Sequence, residues 1–198
     1  MEDAESRESE AGQGFSVSRG KTKWSTIDAN GNELASQAYN YTWDAKNELV
    51  GITSINPTPP TVPDTFTFTY DGKGHRVGIV ESHGSTVLTS KTFVWCGAQL
   101  CQERDSTGHT VTKQFFAWGE QISGTNYYFT RDHLGSVLEM TDSSGNIQAS
   151  YGYDPWGRQT VLSQAVTADF GYDGYYVDHS TGLDLTKYRA YDPEMGGG

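Results

Sequence analysis

An acidic residue followed three positions later by glycine recurs along this chain, at Asp28/Gly31, Asp71/Gly74, Glu81/Gly84, Asp105/Gly108, Asp142/Gly145 and Asp154/Gly157. Asp44 stands at the same distance before Asn47. Asp at the first position of a type I turn accepts hydrogen bonds from the backbone that follows it. Gly at the fourth position takes the left-handed conformation that closes a hairpin with a bulge, and Asn is the next-best residue there. Each such pair therefore reads as a hairpin tip, and the spacing of the tips leaves room for little but short strands.

Between the tips, apolar residues alternate with period two. In "TFTFTY", Phe66, Phe68 and Tyr70 fall on one face and three Thr on the other. "KTFVW" sets Phe93 with Trp95, "SYGY" sets Tyr151 with Tyr153, and "NYYFT" (126–130) has a natural partner in "SVLEMT" (136–141). The composition agrees: 23 Gly, 12 Tyr, 8 Phe and 5 Trp suit strands joined by tight turns, not a helical bundle. "TVLSQAVTADF" (160–170) is the best helix candidate, for a turn or two. The fold class expected is all-β, with antiparallel hairpin repeats forming a twisted, partly open sheet.

The chain divides into an acidic, disordered leader (1–20), hairpin repeats (21–126) interrupted by the Pro-rich loop 56–63, a distinct C-terminal region (127–196), and a Gly tail (197–198). A formal net charge of -11 opposes a nucleic-acid surface, which needs clustered Lys and Arg. No apolar run is long enough to span a membrane, and the N-terminus lacks the basic start and apolar segment of a signal peptide. Cys96 and Cys101 are spaced C-x4-C, not the C-x2-C of redox and zinc motifs. They read first as free thiols serving as small apolar residues. A disulfide across a Gly97-Ala98 turn and a metal pair are the alternatives.

Aromatic-Asp-x-x-Gly tips between aromatic strands resemble the YD repeats of the rearrangement-hotspot (Rhs) proteins, related to teneurins and to cage subunits of ABC toxins. The specific residues are "YFTRDHLGSVLEMTDSSGNIQASYGYDPWGR" (128–158), similar to the opening of the Rhs repeat-associated core, and "FGYDGYYVDHSTGLDLTKYRAYDPEMG" (170–196), similar to its continuation. The resemblance covers roughly residues 22–196. It implies a shell of β-hairpins that spirals around a C-terminal effector and cleaves itself at a DPxG-type segment just beyond the core. The chain stops at "YDPEMGGG", before such a segment, so neither cleavage nor cargo release is expected of it. The resemblance further implies a secreted or cell-surface location as part of a longer parent chain. Its partners would be other shell repeats, an effector, or a second copy joined through open sheet edges. "YYVD" and "LTKYRAY" are the strands expected to be left open for self-association.

Several residue groups invite a chemical reading. "RDHLGS" (131–136) offers Asp132, His133 and Ser136, but adjacent strand positions point to opposite faces, so a strand-to-turn segment is expected and not a triad. Asp71, Asp154 and Asp192 can be paired as hydrolytic acids, yet their place in the turn pattern makes them caps, as it does Asp105 and Asp142. Gly74, Gly108, Gly145 and Gly157 are the matching turn glycines. His75 and His109 each follow a tip glycine and are expected at the surface. Trp118, Trp156 and Tyr176 are candidates for stacking on sugar rings. No cofactor or metal is implied. The reading favoured is a non-catalytic structural or adhesive scaffold, with a carbohydrate-binding module and a remnant self-cleaving core as alternatives.

Overall fold

The computed structural model describes residues 12–18, 21–56, 58–187 and 189–196. Strands β1 (Gly12–Ser18), β2 (Lys21–Ile27), β3 (Glu33–Ala35), β4 (Tyr39–Trp43), β5 (Leu49–Ser54), β6 (Thr65–Tyr70), β7 (Arg76–His83) and β8 (Thr86–Cys96) come first. They are followed by β9 (Gln99–Arg104), β10 (Val111–Phe116), β11 (Gly119–Ile122), β12 (Thr125–Arg131), β13 (Val137–Asp142), β14 (Ile147–Tyr153) and β15 (Gln159–Gln164). These form one antiparallel sheet in strict sequence order, so each strand lies between its chain neighbours. A second sheet of three short strands follows: β16 (Tyr176–Asp178), β17 (Leu183–Leu185) and β18 (Ala190–Tyr191).

The tips share one geometry. At Asp28, Asp44, Asp71, Asp132, Asp142 and Asp154 the residue three positions on donates its N–H to the Asp carbonyl, and the Asp N–H is donated to the carbonyl four positions on. In each, the Asp Oδ1 accepts from the backbone N–H groups two and four residues later. Asp105 closes a turn one residue longer, with its N–H donated to Thr110. The left-handed residue is Gly at all of these except Asn47, which has φ +61°. A register shift sits beside the tips at Asp28, Asp44, Asp71, Asp132 and Asp142. Bulges of this kind bend a strand and increase its twist, so the repeat that makes the turns also curls the sheet.

The inward face is aromatic and aliphatic: Tyr41, Leu49, Ile52, Phe66, Phe68, Ile79, Phe93 and Phe115 are all buried in one cluster. The same cluster contains Tyr176, Leu183, Leu185 and Ala190 from the small sheet. Three short strands can reach residues spread from β4 to β10 only because the large sheet is concave toward them. A second cluster, with Phe129, Val137, Met140, Ala149 and Tyr151, continues the core, and Phe170 packs against both.

Several expectations change. Gly12–Ser18 pairs with β2, so that part of the presumed leader is a strand; residues 1–11 and the Gly tail 197–198 lie outside the described residues. The helix candidate 160–170 contains most of β15, because Val161 and Leu162 alternate along an exposed strand and no helical face is buried. Glu81 is not a tip residue: it lies within β7, and the turn is the two-residue Gly84-Ser85, with His83 opposite Thr86. Cys96 and Cys101 are disulfide-bonded across the Gly97-Ala98 turn. The register shift between Val94 and Trp95 places Cys101 in a bulge facing Cys96 diagonally. His75 is 8% exposed, stacked on Trp95 and within 3.0 Å of Asp71 Oδ2, while His109 is exposed as expected.

Candidate functional site: the acidic seam of the concave face

Three glutamates interrupt the apolar inner face at regular intervals. Glu81 on β7 is opposite Phe66, Glu103 on β9 is opposite Phe93, and Glu120 on β11 is opposite Phe115. Cross-strand partners share a face, so the acids point inward with the phenylalanines, two strands apart. All three are buried, at 3%, 6% and 0% exposure. A buried carboxylate persists only where something answers it.

The segment leading into the small sheet answers each in turn. The Asp169 N–H donates to Glu120 Oε1 (3.2 Å), the Tyr176 hydroxyl to Glu103 Oε2 (3.3 Å), and the Ser180 hydroxyl to Glu81 Oε2 (2.9 Å). Residues 169–180 thus cross the sheet from β11 to β7, meeting one inward acid at every second strand. Two lysines on the sheet complete the seam: Lys91 Nζ lies 3.1 Å from Glu81, and Lys113 Nζ lies 2.6 Å from Asp169 and 3.7 Å from Glu103. Burial opposes the charge on Lys113, but Asp169 and Glu103 together raise its pKa. Glu120 is pushed up to about 9, first by desolvation and then by the Asp169 charge. Both effects favour its protonated form. Asp178, beside Glu81, is also raised by burial and by the Glu81 charge.

A second group of acids lies toward the other end of the core. Burial and then the Asp192 charge raise Glu33 to about 7 and Asp184 to about 7. Glu33 and Asp192 line a small recess with Tyr41, Trp43, Leu49, Leu183 and Ala190.

The residues singled out in the sequence are not brought together. Asp71, Asp105, Asp142 and Asp154 each cap their own turn, with Gly74, Gly108, Gly145 and Gly157 left-handed three positions on. Asp192 Oδ1 accepts from the Glu194 N–H in a terminal turn, while its charge bears on Glu33 and Asp184. Asp132 is a further tip of the same kind, and its Oδ1 is held by the Leu134 and Ser136 N–H groups. The Ser136 hydroxyl accepts from the Asp173 N–H, and His133 is exposed, so the triad geometry is not formed. Trp118 and Trp156 are exposed, at 69% and 58%, but Tyr176 is 7% exposed and presents no ring face on the outer surface. The strands expected to be left open are covered: Tyr176, Asp178, Leu185 and Ala190 are buried, and Tyr191 donates to the Trp156 carbonyl. The edge that carries exposed apolar residues is β15.

The seam acids escape a sequence reading because Glu at an inward position looks like any solvated Glu. The available signal was register: counting from each tip puts Glu103 and Glu120 on the face of Phe93 and Phe115.

Comparison with known proteins agrees with this architecture. The Teneurin YD-shell family model matches residues 104–197. The tRNA3(Ser)-specific nuclease WapA of Bacillus spizizenii is 28% identical over 179 residues, 86% of this chain and 7% of that protein. The double-stranded DNA deaminase toxin A of Burkholderia cenocepacia is 26% identical over 194 residues, 82% of this chain and 13% of that one. The crystal structure of TcdB2-TccC3-Cdc42 shares the fold at a TM-score of 0.64 and 18% identity, over 93% of this chain and 10% of its own. The chain thus spans a small fraction of each protein it matches.

Proposed function

We propose that the chain, which resembles the YD-shell proteins of the Rhs type, is a non-catalytic shell segment whose concave face holds a protein segment. In this chain the segment held is its own residues 169–191. The observation that supports the reading is the seam: each inward glutamate is met by a donor from the crossing chain. The toxic activities in the relatives' names are those of much longer proteins, and they are not carried to this one. The role proposed is architectural, within a longer secreted or surface-delivered parent. The Cys96–Cys101 disulfide supports an oxidising destination.

Intact mass spectrometry after days at pH 5 to 8 tests the non-catalytic reading. A single species at 21.8 kDa is expected. A defined internal cut that disappears in Asp184→Asn or Asp192→Asn would instead identify a self-cleaving core.

One observation favours a second reading. Phe116, Trp118 and Tyr128 are 54%, 69% and 49% exposed around a recess of about 420 Å³ on β10 to β12. Exposed aromatic faces of this kind suit sugar stacking. Glycan-array binding lost in Trp118→Ala, with Trp156→Ala as control, supports a carbohydrate role at this patch; no binding removes it.

A further inference from the structure

A sizeable cavity lies on the concave side, beside the acidic seam. It has a volume of about 480 Å³ and is walled by Phe93, Trp95, Phe115, Phe170, Tyr175 and Tyr176. A pocket of this size and apolar character is what a small organic ligand requires. Its charged groups are three cations, Arg76, Arg131 and Lys187, and a single acid, Asp173. That balance is reversed from the chain as a whole, which carries a net -11.

The two arginines are unusual in what they lack. Lysines 91 and 113 and Arg158 all pair with carboxylates, but among the described residues neither Arg76 nor Arg131 makes a carboxylate ion pair. Arg76 is 4% exposed, and its guanidinium reaches only the Tyr70 hydroxyl and the Thr186 and Arg189 carbonyls, at 3.4–3.5 Å. It is otherwise stacked over Phe68 and Tyr70. Arg131 donates to the Gly135 carbonyl and lies over Phe129. The Nε–H of each is buried with no acceptor. Burial depresses the Arg131 guanidinium from its ordinary value, and the Glu120 charge offsets only part of that. Neutral acceptors and ring faces offset only part of the cost of burying a cation.

We propose that this cleft binds a small aromatic carboxylate: a flat apolar body between the aromatic walls, with its carboxylate answering the Arg131 guanidinium. A carboxylate supplies two acceptor oxygens in the planar arrangement that a guanidinium fork matches. The aromatic walls select a flat body over an aliphatic one, through edge-to-face contacts of the kind Phe115 and Tyr176 already make with Phe170. The site borders the acidic seam, sharing the Tyr176 ring with it.

Calorimetric titration of the intact chain with 2-naphthoate and with its neutral isostere 2-naphthamide tests the assignment. The acid should bind with a dissociation constant below about 1 mM, and the amide at least about tenfold more weakly, since a charge-assisted bond is being removed. Arg131→Gln should weaken naphthoate by a similar factor and leave naphthamide unchanged. Thermal unfolding reports whether that variant is folded; if it is not, the acid–amide comparison on the unaltered protein decides alone. Equal affinity for acid and amide, or no naphthoate binding at about 1 mM, overturns the proposal.

Discussion

Gly145 and Gly157 occupy the same position in two identical tips, with φ of +82° and +85°, yet their surroundings differ. A Cβ at Gly145 would meet nothing within 4 Å, while one at Gly157 would lie 2.6 Å from Tyr172 Cδ1 and 2.8 Å from its Cγ. The Tyr172 ring is itself held between Tyr153 and Tyr191, at centroid distances of 5.9 and 6.5 Å. Gly145→Ala should therefore cost only the left-handed penalty, about 1–2 kcal/mol. Gly157→Ala adds the displacement of a packed ring, worth ~1–3 kcal/mol, for a total of about 2–5 kcal/mol. Gly157→Val should be worse still, since a β-branched residue is a genuine outlier at positive φ. Urea unfolding gives both costs from the shift in midpoint at constant slope. In a Tyr172→Ala background the Gly157→Ala cost should fall toward that of Gly145→Ala, a coupling of at least ~1 kcal/mol. Equal costs for the two alanine variants, or no coupling to Tyr172, would refute the view that this tip is a packing point for the C-terminal segment.

Other consequences follow from the caps, the seam and the edge. Asp154→Ala should cost about 1 kcal/mol through the lost Trp156 and Arg158 N–H bonds, read from the same urea midpoints. Stability should depend on pH with two opposing arms, read as melting temperature against pH. Glu33 and Asp184 have ordinary values of 4.5 and 3.8 but about 7 when folded, so the folded state holds protons that the unfolded chain has lost, and stability falls as pH rises toward 7. The caps Asp28, Asp44, Asp71, Asp132 and Asp142 are lowered instead, so their contribution is lost as pH falls below 3.8. A maximum in mild acid is expected; Glu33→Gln with Asp184→Asn should make the arm above it shallower, with raised Glu120 still contributing, and an unchanged arm counts against those two groups. Glu120→Gln should cost less than Glu120→Ala at pH 7, because burial and the Asp169 charge favour the protonated form that Gln mimics, whereas Glu120→Ala leaves the Asp169 N–H buried and unpaired at a cost of ~1–3 kcal/mol. Self-association, if the open edge drives it, runs through β15, where Leu162 is 67% exposed; light scattering should show a concentration-dependent dimer that Leu162→Lys abolishes, and a strict monomer at high concentration contradicts it.

What the sequence made legible was local. A tip needs only an Asp that can reach the backbone two and four residues on and a residue that tolerates positive φ, so Asp71, Asp142 and Asp154 could be read from spacing alone. The strands between tips followed from alternation, as at Phe66 and Phe68. Glu81 shows the limit of the rule: the spacing to Gly84 is right, but a tighter two-residue turn leaves the acid inside β7. The contacts of residues 169–191 with the large sheet were not legible, because they join positions far apart in sequence, as between Tyr191 and Trp156, 35 residues apart, or Arg189 and Arg76, 113 apart. No local pattern reports that a sheet has curled far enough to be filled from within. The same distance hid the burial of Tyr176, an aromatic that alternation alone cannot assign to core or surface. His75 was misplaced because the ring packs back on Trp95 from the flank of its turn.

The account rests on the C-terminal strands occupying the concave face, and backbone amide hydrogen exchange tests that most directly. The amides of β16 and β17, from Tyr176 to Asp178 and from Leu183 to Leu185, should exchange as slowly as those of β6 and β7, because both belong to one core and open only with global unfolding. Fast exchange across residues 169–191 with β6 and β7 still protected would contradict it, since the segment would then be a tail beside the sheet and the seam would not exist.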